Sequence, residues 1–178
     1  MKERIIEVVQ YNPLWPLLFE EEVRSLSDFP GFNSCKFHHI GSTSVEGLSA
    51  KPIIDILVEV DDLKKFDEYS ELLSTKGYKA KGEFGILGRR YFQKGGDNRT
   101  HQIHVFEKGS HHITEHLAFR NYLRKHSDIA KEYDYLKKEI VKTCNNDIKK
   151  YSAGKHDFIT HHLALSLQEL SYLNLGCK

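Results

Sequence analysis

Apolar residues recur along the chain with two different periods, and the change from one to the other predicts the order of elements. Residues 13–26 carry apolar side chains at Trp15, Phe19, Val23 and Leu26. This spacing places them on one face of a helix. We therefore predict that the first element of the chain is an amphipathic helix.

The next segments favour strands. Residues 35–40 predict a short strand that leads into Gly41. Residues 52–60 form a dense run of β-branched side chains interrupted by a single carboxylate, Asp55, and such a run is typical of a central strand. A helix is predicted over 62–75, where apolar residues return to helical spacing.

The rest of the chain predicts three strands and then three helices. They span 77–81, 89–94, 101–107, 111–125, 128–151 and 155–173. This order predicts a mixed α/β (α+β) fold, with a mixed sheet and C-terminal helices. We expect a single domain over 1–178, with a core at about 13–107 and a helical part at about 111–173.

Composition fits this picture and excludes two classes of protein. A length of 178 residues corresponds to about one domain, and 39% hydrophobic with 29% charged residues is globular. The 26 Lys and Arg against 25 Asp and Glu give a net charge of +1, which argues against a nucleic-acid surface. No stretch approaches 18 apolar residues, so no transmembrane helix is predicted.

The cysteines predict a reducing compartment. Cys35, Cys144 and Cys177 are odd in number, far apart and outside any C-x-x-C pair. A cytoplasmic location is the simplest interpretation. We expect Cys35 in a strand and Cys144 on a helix, each as a small buried apolar residue.

One segment, from Gly41 to Asp55, carries residues suited to chemistry. Gly41 allows the backbone to approach a ligand closely, and Ser42 with the N–H groups of the following turn suits a phosphate oxygen. Asp55 lies in an apolar strand and needs a partner, because an unpaired buried carboxylate is costly. A metal ion, a cation or a helix terminus would each satisfy it.

The segment resembles the nucleotidyltransferase superfamily, in which an apolar residue, Gly and Gly or Ser precede a strand bearing two acids. Within that superfamily the whole chain resembles the GrpB (UPF0157-type) family. The resemblance rests on residues 11–13 with Trp15, 40–58, 100–105, 117–124, Tyr133 with Leu136 and Lys137, and Tyr151 with Lys155. It implies a nucleotidyltransferase-like (polymerase-β-like) fold.

The sequence departs from the superfamily pattern at its acids. Ile53 takes the first carboxylate position, Asp55 takes the second, and His104 stands where the third acid is expected. The usual acids hold two Mg²⁺ ions for phosphoryl displacement. One Asp and one His suit one softer divalent ion better. The expected cofactor is therefore one divalent metal, Mn²⁺, Zn²⁺ or Mg²⁺, held by Asp55 and His104.

Asp55 and His104 are also the expected catalytic residues, as metal ligands or as a base and its orienting partner. The residues expected to bind the ligand or its phosphate are Gly41, Ser42, Thr43, Ser44, Lys51, Arg90, His101, Arg120 and Lys155. Lys155 enters this set through the resemblance alone. The period of two places His104 on one strand face with Gln102, and His101 on the opposite face unless it lies in the turn before the strand.

Each of these residues has a structural alternative. Asp55 would equally suit a helix N-terminus, and His104 a half-buried position. Lys51 would equally be a solvated lysine, while Arg90 and Arg120 would each serve in a surface ion pair.

Two further patterns favour structural interpretations. Adjacent histidines at 38–39, 111–112 and 161–162 are expected to point apart and not to chelate a metal, and the helical pair His112 and His116 lacks a nearby carboxylate shell. The charge runs at 20–22 and 137–139 are expected to form solvated helix faces.

Two functions stay open at this point. The first is an enzyme that binds a nucleotide or another phosphorylated metabolite and transfers or hydrolyses a phosphoryl-linked group. The second is a non-catalytic ligand-binding or accessory domain, with a coenzyme A-related or protein-folding role. In both cases the expected partner is a small anionic or nucleotide-like ligand, and neither nucleic acid nor a membrane is expected.

Overall fold

The computed structural model describes residues 5–175 and contains one five-stranded mixed sheet. Its strands are β1 (Lys36–Ile40), β2 (Ile54–Val60), β3 (Tyr78–Ala80), β4 (Arg89–Lys94) and β5 (His101–Glu107). Their order across the sheet is β1-β2-β5-β4-β3. The central strands β2 and β5 run parallel, and the other neighbouring pairs run antiparallel.

Helices cover both faces of the sheet. They are α1 (Trp15–Ser27), α2 (Leu63–Asp67), α3 (Ser70–Thr75), α4 (His111–Lys125), α5 (Ser127–Thr143), α6 (Ile148–Gly154) and α7 (His156–Leu175). The predicted α/β (α+β) fold class, with a mixed sheet and C-terminal helices, is confirmed. Among the described helices, none is long and apolar enough to cross a membrane.

Alternation along β2 gives the sheet two different faces. Ile54, Ile56 and Val58 point into the main core, together with Phe66 of α2 and other aromatic residues. We call this the apolar face; α1, α2 and α3 cover it. The opposite face, which carries Asp55 and is packed by α4, we call the site face.

The predicted helices differ from the observed ones at two breaks. The segment 62–75 forms two short helices, α2 and α3. The segment 128–151 is interrupted after Thr143, because Asn145 and Asn146 adopt left-handed backbone angles, with φ of 50° and 60°. Asparagine tolerates this conformation better than most residues, so the helix ends there.

The expectation of two solvated charge runs is wrong for one residue in each. Glu22 on α1 is buried, and Lys137 on α5 is only 1% exposed. Lys137 donates a hydrogen bond to the Ser49 carbonyl oxygen and lies 4.8 Å from the centre of the Tyr133 ring. Both residues lie on the inward side of an amphipathic helix, where partners compensate their charge.

The cysteines lie close to the predicted elements. Cys35 is half-buried and directly precedes β1, so it lies at the end of the strand and not within it. Cys144 is buried at the C-terminal end of α5. Cys177 lies outside the described residues.

Candidate functional site

The turn after β1 is built against Asp55. Ile40 pairs with Asp55 across the antiparallel strands, so the next residue, Gly41, lies directly against the carboxylate. Gly41 has φ of 70° and ψ of −176°, and a β-carbon there would lie 2.6 Å from Asp55 Oδ2. Only glycine fits both the backbone angles and the space.

The residues after Gly41 form a single 3-10 turn that is held from inside. Ser44 Oγ donates to the Gly41 carbonyl oxygen at 2.6 Å. Thr43 is buried, its Oγ1 lies 3.0 Å from His39 Nε2, and it donates to the Ile53 carbonyl oxygen. Thr43 and Ser44 therefore use their hydroxyl groups within the fold.

A cleft of about 240 Å³ opens beside this turn. Six of the residues predicted to act at the site line it: Gly41, Ser42, Thr43, Lys51, Asp55 and Lys155. Gln102, Tyr133 and Tyr151 complete its polar lining. Tyr133 of α5, Tyr151 of α6 and Lys155, which follows α6, bring the C-terminal part of the chain to the same cleft as Ser42.

Two lysines give the cleft a positive wall. Lys51 Nζ lies 5.2 Å and Lys155 Nζ lies 4.5 Å from the centre of the Tyr151 ring. Burial and, after it, the positive charge of Lys51 lower the pKa of Lys155, Asp55 acts in the opposite direction, and the resulting pKa is about 8. An anion bound between the lysines would therefore be stabilised by both ammonium groups.

Asp55 has a second set of partners on the site face. Its Oδ1 lies 3.5 Å from His104 Nε2, and His104 Nδ1 lies 3.5 Å from Arg89 Nη1. Arginine can only donate, so Nδ1 acts as the acceptor and the imidazole proton is assigned to Nε2, facing Asp55. Both contacts are long, so the carboxylate retains capacity for a further partner.

Aromatic rings enclose this histidine. The Tyr91 ring centre lies 5.0 Å from that of His104, and the His116 ring centre lies 5.8 Å away. Burial, with a smaller contribution from the neighbouring His104, lowers the pKa of His116 to about 4. His116 is therefore neutral at pH 7.

Several of these neighbours were not predicted as site residues. Arg89 is absent from the predicted site, and Tyr133 and Tyr151 contribute only to the family resemblance. Burial raises the pKa of Tyr133, whose side chain is also hydrogen-bonded to Ser42. The strand period predicted that Gln102 shares a face with His104, and the structure makes Gln102 the register partner of Asp55.

Four predicted ligand-binding residues lie outside the cleft: Ser44, which lines a different cavity, and Arg90, His101 and Arg120. Arg90 forms two hydrogen bonds to Asp67 of α2, at 2.6 and 2.9 Å, on the apolar face, because it alternates with Arg89 along β4. His101 also points to that face, towards Glu22, as the strand period predicted. Arg120 donates to the His39 carbonyl oxygen at 3.0 Å and supports the Gly41 turn from behind.

A larger cavity of about 560 Å³ lies beyond the segment 44–48. Arg124 and Asp134 line it, but Asp55 does not, and His104 lines neither cavity. The charged groups that suit phosphate chemistry converge instead in the smaller cleft, which is our candidate site.

Comparison with known proteins assigns the chain to a protein family. A family model described as GrpB protein matches residues 5–164. The UPF0157 protein YqkA of Bacillus subtilis is 45% identical over 88% of this chain, and the match covers 46% of YqkA. The glutamate-rich protein GrpB of Alkalihalophilus pseudofirmus is 34% identical over 85% of this chain and 90% of its own length. The chain thus spans less than half the length of YqkA.

Solved structures agree with this result. The conserved protein GrpB from Enterococcus faecalis is 42% identical, with a TM-score of 0.87 over 92% of this chain and 99% of that one. The Cid1 poly(U) polymerase aligns with 74% of this chain and 45% of its own, at 12% identity and a TM-score of 0.47. The second likeness is too distant to add to the assignment.

Proposed function

The chain belongs to the GrpB family, and we propose that it binds a nucleotide or another phosphorylated metabolite, with one divalent metal ion, in the cleft beside Gly41. The observation that carries the proposal is the convergence of Ser42, Lys51, Asp55 and Lys155 on one cleft. Two ammonium groups and a hydroxyl suit an anion, and the carboxylate suits a cation that accompanies it.

The size of the cleft bears on which part of the ligand it holds. Its volume of about 240 Å³ is below the roughly 300–1,000 Å³ of sites that bury a whole drug-sized ligand. The phosphate end of the ligand fits this space, between Lys51 and Lys155, and the remainder extends towards solvent. Ser42 then donates to a phosphate oxygen.

Asp55 and His104 are the residues that would hold the metal. Two ligand atoms bound to one tetrahedral ion at roughly 2.0–2.2 Å are separated by roughly 3.4 Å. The 3.5 Å between Asp55 Oδ1 and His104 Nε2 fits this requirement. Binding through Nε2 moves the ring proton to Nδ1, so the Arg89 guanidinium must turn away from Nδ1 when the ion binds. A carboxylate and an imidazole suit Zn²⁺ or Mn²⁺ better than a pair of Mg²⁺ ions. When bound, the ion supplies Lewis-acid polarisation of a phosphoryl oxygen.

The same two residues have a role without the ion. With its proton on Nε2, His104 orients Asp55 as an acceptor, and Asp55 is then placed to take a proton from an attacking hydroxyl group or water. The reaction class that both arrangements support is transfer or hydrolysis of a phosphoryl-linked group.

A second candidate function is that of a non-catalytic binding domain. It is favoured by Ile53, which is only 5% exposed and stands at the strand position where the superfamily pattern has its first acid. An apolar residue there leaves Asp55 as the only carboxylate among the described residues that line the cleft.

A thermal-shift screen tests the proposal. The probes are the ribonucleoside triphosphates, 4′-phosphopantetheine and dephospho-CoA, each with and without Mn²⁺, Zn²⁺ or Mg²⁺. We expect at least one probe to raise the melting temperature in a metal-dependent way, and the Asp55→Asn variant to lose this response. Asp67→Asn, which alters a carboxylate on the apolar face, is the matched control and keeps it.

The outcomes separate the two candidate functions. A metal-dependent shift accompanied by turnover supports the enzyme. A metal-independent shift without turnover supports the binding domain. If no combination shifts the wild type, or if Asp55→Asn and Asp67→Asn respond alike, the proposed site is wrong.

The role of Lys51 and Lys155 in binding phosphate can be tested with the same screen. Lys155→Met removes an ammonium group from the cleft and is expected to weaken binding of any responsive probe at least tenfold. Lys150→Met, on the exposed side of α6, which ends directly before Lys155, is expected to bind as the wild type does. Equal affinities for the two variants would contradict phosphate binding at this wall.

A further inference from the structure

We propose a second metal site, for a transition-metal ion such as Zn²⁺, at the first turn of α4. Its ligands are His111, His112 and Glu115. This inference is independent of the proposed function, since none of the three residues lines the cleft. It also corrects the expectation that the adjacent pair 111–112 points apart.

The three side chains converge at the start of the helix. The ring centres of His111 and His112 lie 3.9 Å apart, because His111 is the first helical residue and its side chain turns back towards its neighbour. Glu115 lies one turn further along, within reach of both. One potential ligand atom from each residue lies within 4.8 Å of the other two.

Part of this arrangement is already fixed in place. His112 Nδ1 lies 3.1 Å from Glu115 Oε2, and the His112 ring packs 5.1 Å from the Phe106 ring. Ligand atoms around one tetrahedral ion lie roughly 3.4 Å apart, so this pair already has nearly the required spacing. His111 is exposed, and rotation of its side chain closes the remaining distance.

The ligand set determines the class of ion. Two neutral imidazoles and one carboxylate are the ligands that Zn²⁺, Ni²⁺ and Cu²⁺ prefer, whereas Mg²⁺ and Ca²⁺ prefer all-oxygen sites. Three protein ligands leave a coordination position for water. The partial positive charge of the helix N-terminus opposes a cation, and the Glu115 carboxylate offsets it.

This site is separate from the Asp55 carboxylate. His116 lies on the turn of α4 after His112, and its ring lies between Phe106 and His104, with ring-centre distances of 6.1 and 5.8 Å. Two imidazole rings therefore stand between the first turn of α4 and Asp55. An ion on His111, His112 and Glu115 would not need Asp55.

Titration of tag-free protein with Zn²⁺ in a calorimeter tests the site, with Co²⁺ absorption as a spectroscopic signature of its ligands. We expect one Zn²⁺ site that His111→Ala and Glu115→Gln each weaken at least tenfold. His156→Ala is the matched control, because His156 is likewise an exposed histidine at the first position of a helix. It is expected to retain the wild-type affinity.

The Asp55→Asn variant distinguishes this site from the cleft. Retained Zn²⁺ binding in Asp55→Asn, with loss in His111→Ala and Glu115→Gln, supports the α4 site whatever becomes of the proposed function. Binding that is lost in Asp55→Asn and unchanged in His111→Ala and Glu115→Gln would overturn it. Absence of any Zn²⁺ binding to the folded wild type would overturn it as well.

Discussion

Two carboxylates lie on opposite faces of the sheet, and each contacts a different histidine of β5. The surroundings of the two carboxylates differ. On the apolar face, Glu22 of α1 contacts Tyr78, Lys94 and His101; we call this the Glu22 cluster. On the site face, Asp55 contacts His104. His101 points towards Glu22 and His104 points towards Asp55, because successive side chains of β5 lie on opposite faces of the sheet.

The Glu22 cluster is closed. Both carboxylate oxygens lie 2.8 Å from Lys94 Nζ, and the Tyr78 hydroxyl donates to one of them at 3.0 Å. Burial raises the pKa of Tyr78, and the neighbouring Glu22 raises it further, so the phenol remains a donor. The Glu22 side chain is only 9% exposed. The Glu22 carboxylate thus has its hydrogen-bonding capacity used within the protein, although His101 Nε2, 3.8 Å away, has no hydrogen-bond partner among the described residues.

Asp55 is less completely satisfied. Its contact with His104 is 3.5 Å long, its side chain is 26% exposed, and it borders the cleft. A charge with short partners holds the fold together, whereas a charge with long partners beside a cleft is available for a ligand. The comparison therefore predicts a stabilising role for Glu22 and supports the proposed ligand-binding role of Asp55.

The largest expected effect on stability is that of Glu22→Gln. It leaves Lys94 as a half-buried cation without its carboxylate, and we expect a loss of about 2–3 kcal/mol in the free energy of unfolding. Urea denaturation measures this loss. Glu21→Gln, an exposed neighbour on the same helix, should change stability by less than about 0.5 kcal/mol. Similar losses in the two variants would remove the distinction between a closed cluster and a solvated charge.

Gly41→Ala is expected to cost about 2 kcal/mol, because it combines a strained backbone with a β-carbon against Asp55. Gly47 is the matched control: its φ is 76°, but nothing lies within 4 Å of the position of its β-carbon. Gly47→Ala should therefore cost about 1 kcal/mol, from backbone strain alone. Equal costs in urea denaturation would mean that the turn is not packed against the carboxylate.

The buried amine of Lys137 makes the free energy of unfolding depend on pH. Burial lowers its pKa from 10.5 to about 7, so between these values the unfolded chain binds the proton more readily than the folded protein does. Stability therefore rises with pH above 7, by about 2 kcal/mol from this group by pH 9. Relative to Lys137→Met, the wild type should gain stability over that range. Lys138→Met, on the exposed side, should follow the wild type, and a parallel pH profile for Lys137→Met would contradict the assignment.

The fold could be predicted from the sequence because apolar residues recur at clear helical spacing in the helices and at clear strand spacing in the strands. The run with Asp55 and the alternation in 101–107 predicted which residues share the site face. The helix breaks after Asp67 and Thr143 were missed, since local turns there depend on backbone angles and not on apolar spacing. Their effect on the site is small.

Side-chain partners were harder to predict than elements. Arg90 and Arg120 were expected at the ligand because arginine suits phosphate, but the structure pairs one with Asp67 and the other with a carbonyl oxygen of β1. Glu22 and Lys137 belong to charge runs whose composition is typical of solvated faces. Which member of such a run points inward depends on the rotation of its helix against the sheet, and that is a tertiary property.

The most direct test compares Glu22→Gln with Asp55→Asn in two measurements, the free energy of unfolding and the thermal shift produced by the nucleotide and coenzyme A precursor panel with metal. We predict opposite patterns: Glu22→Gln loses about 2–3 kcal/mol and keeps the ligand-induced shift, whereas Asp55→Asn changes stability by less than about 1 kcal/mol and loses the shift. If Asp55→Asn is as destabilised as Glu22→Gln and still responds to the panel as the wild type does, Asp55 is a structural residue and the proposed site is contradicted.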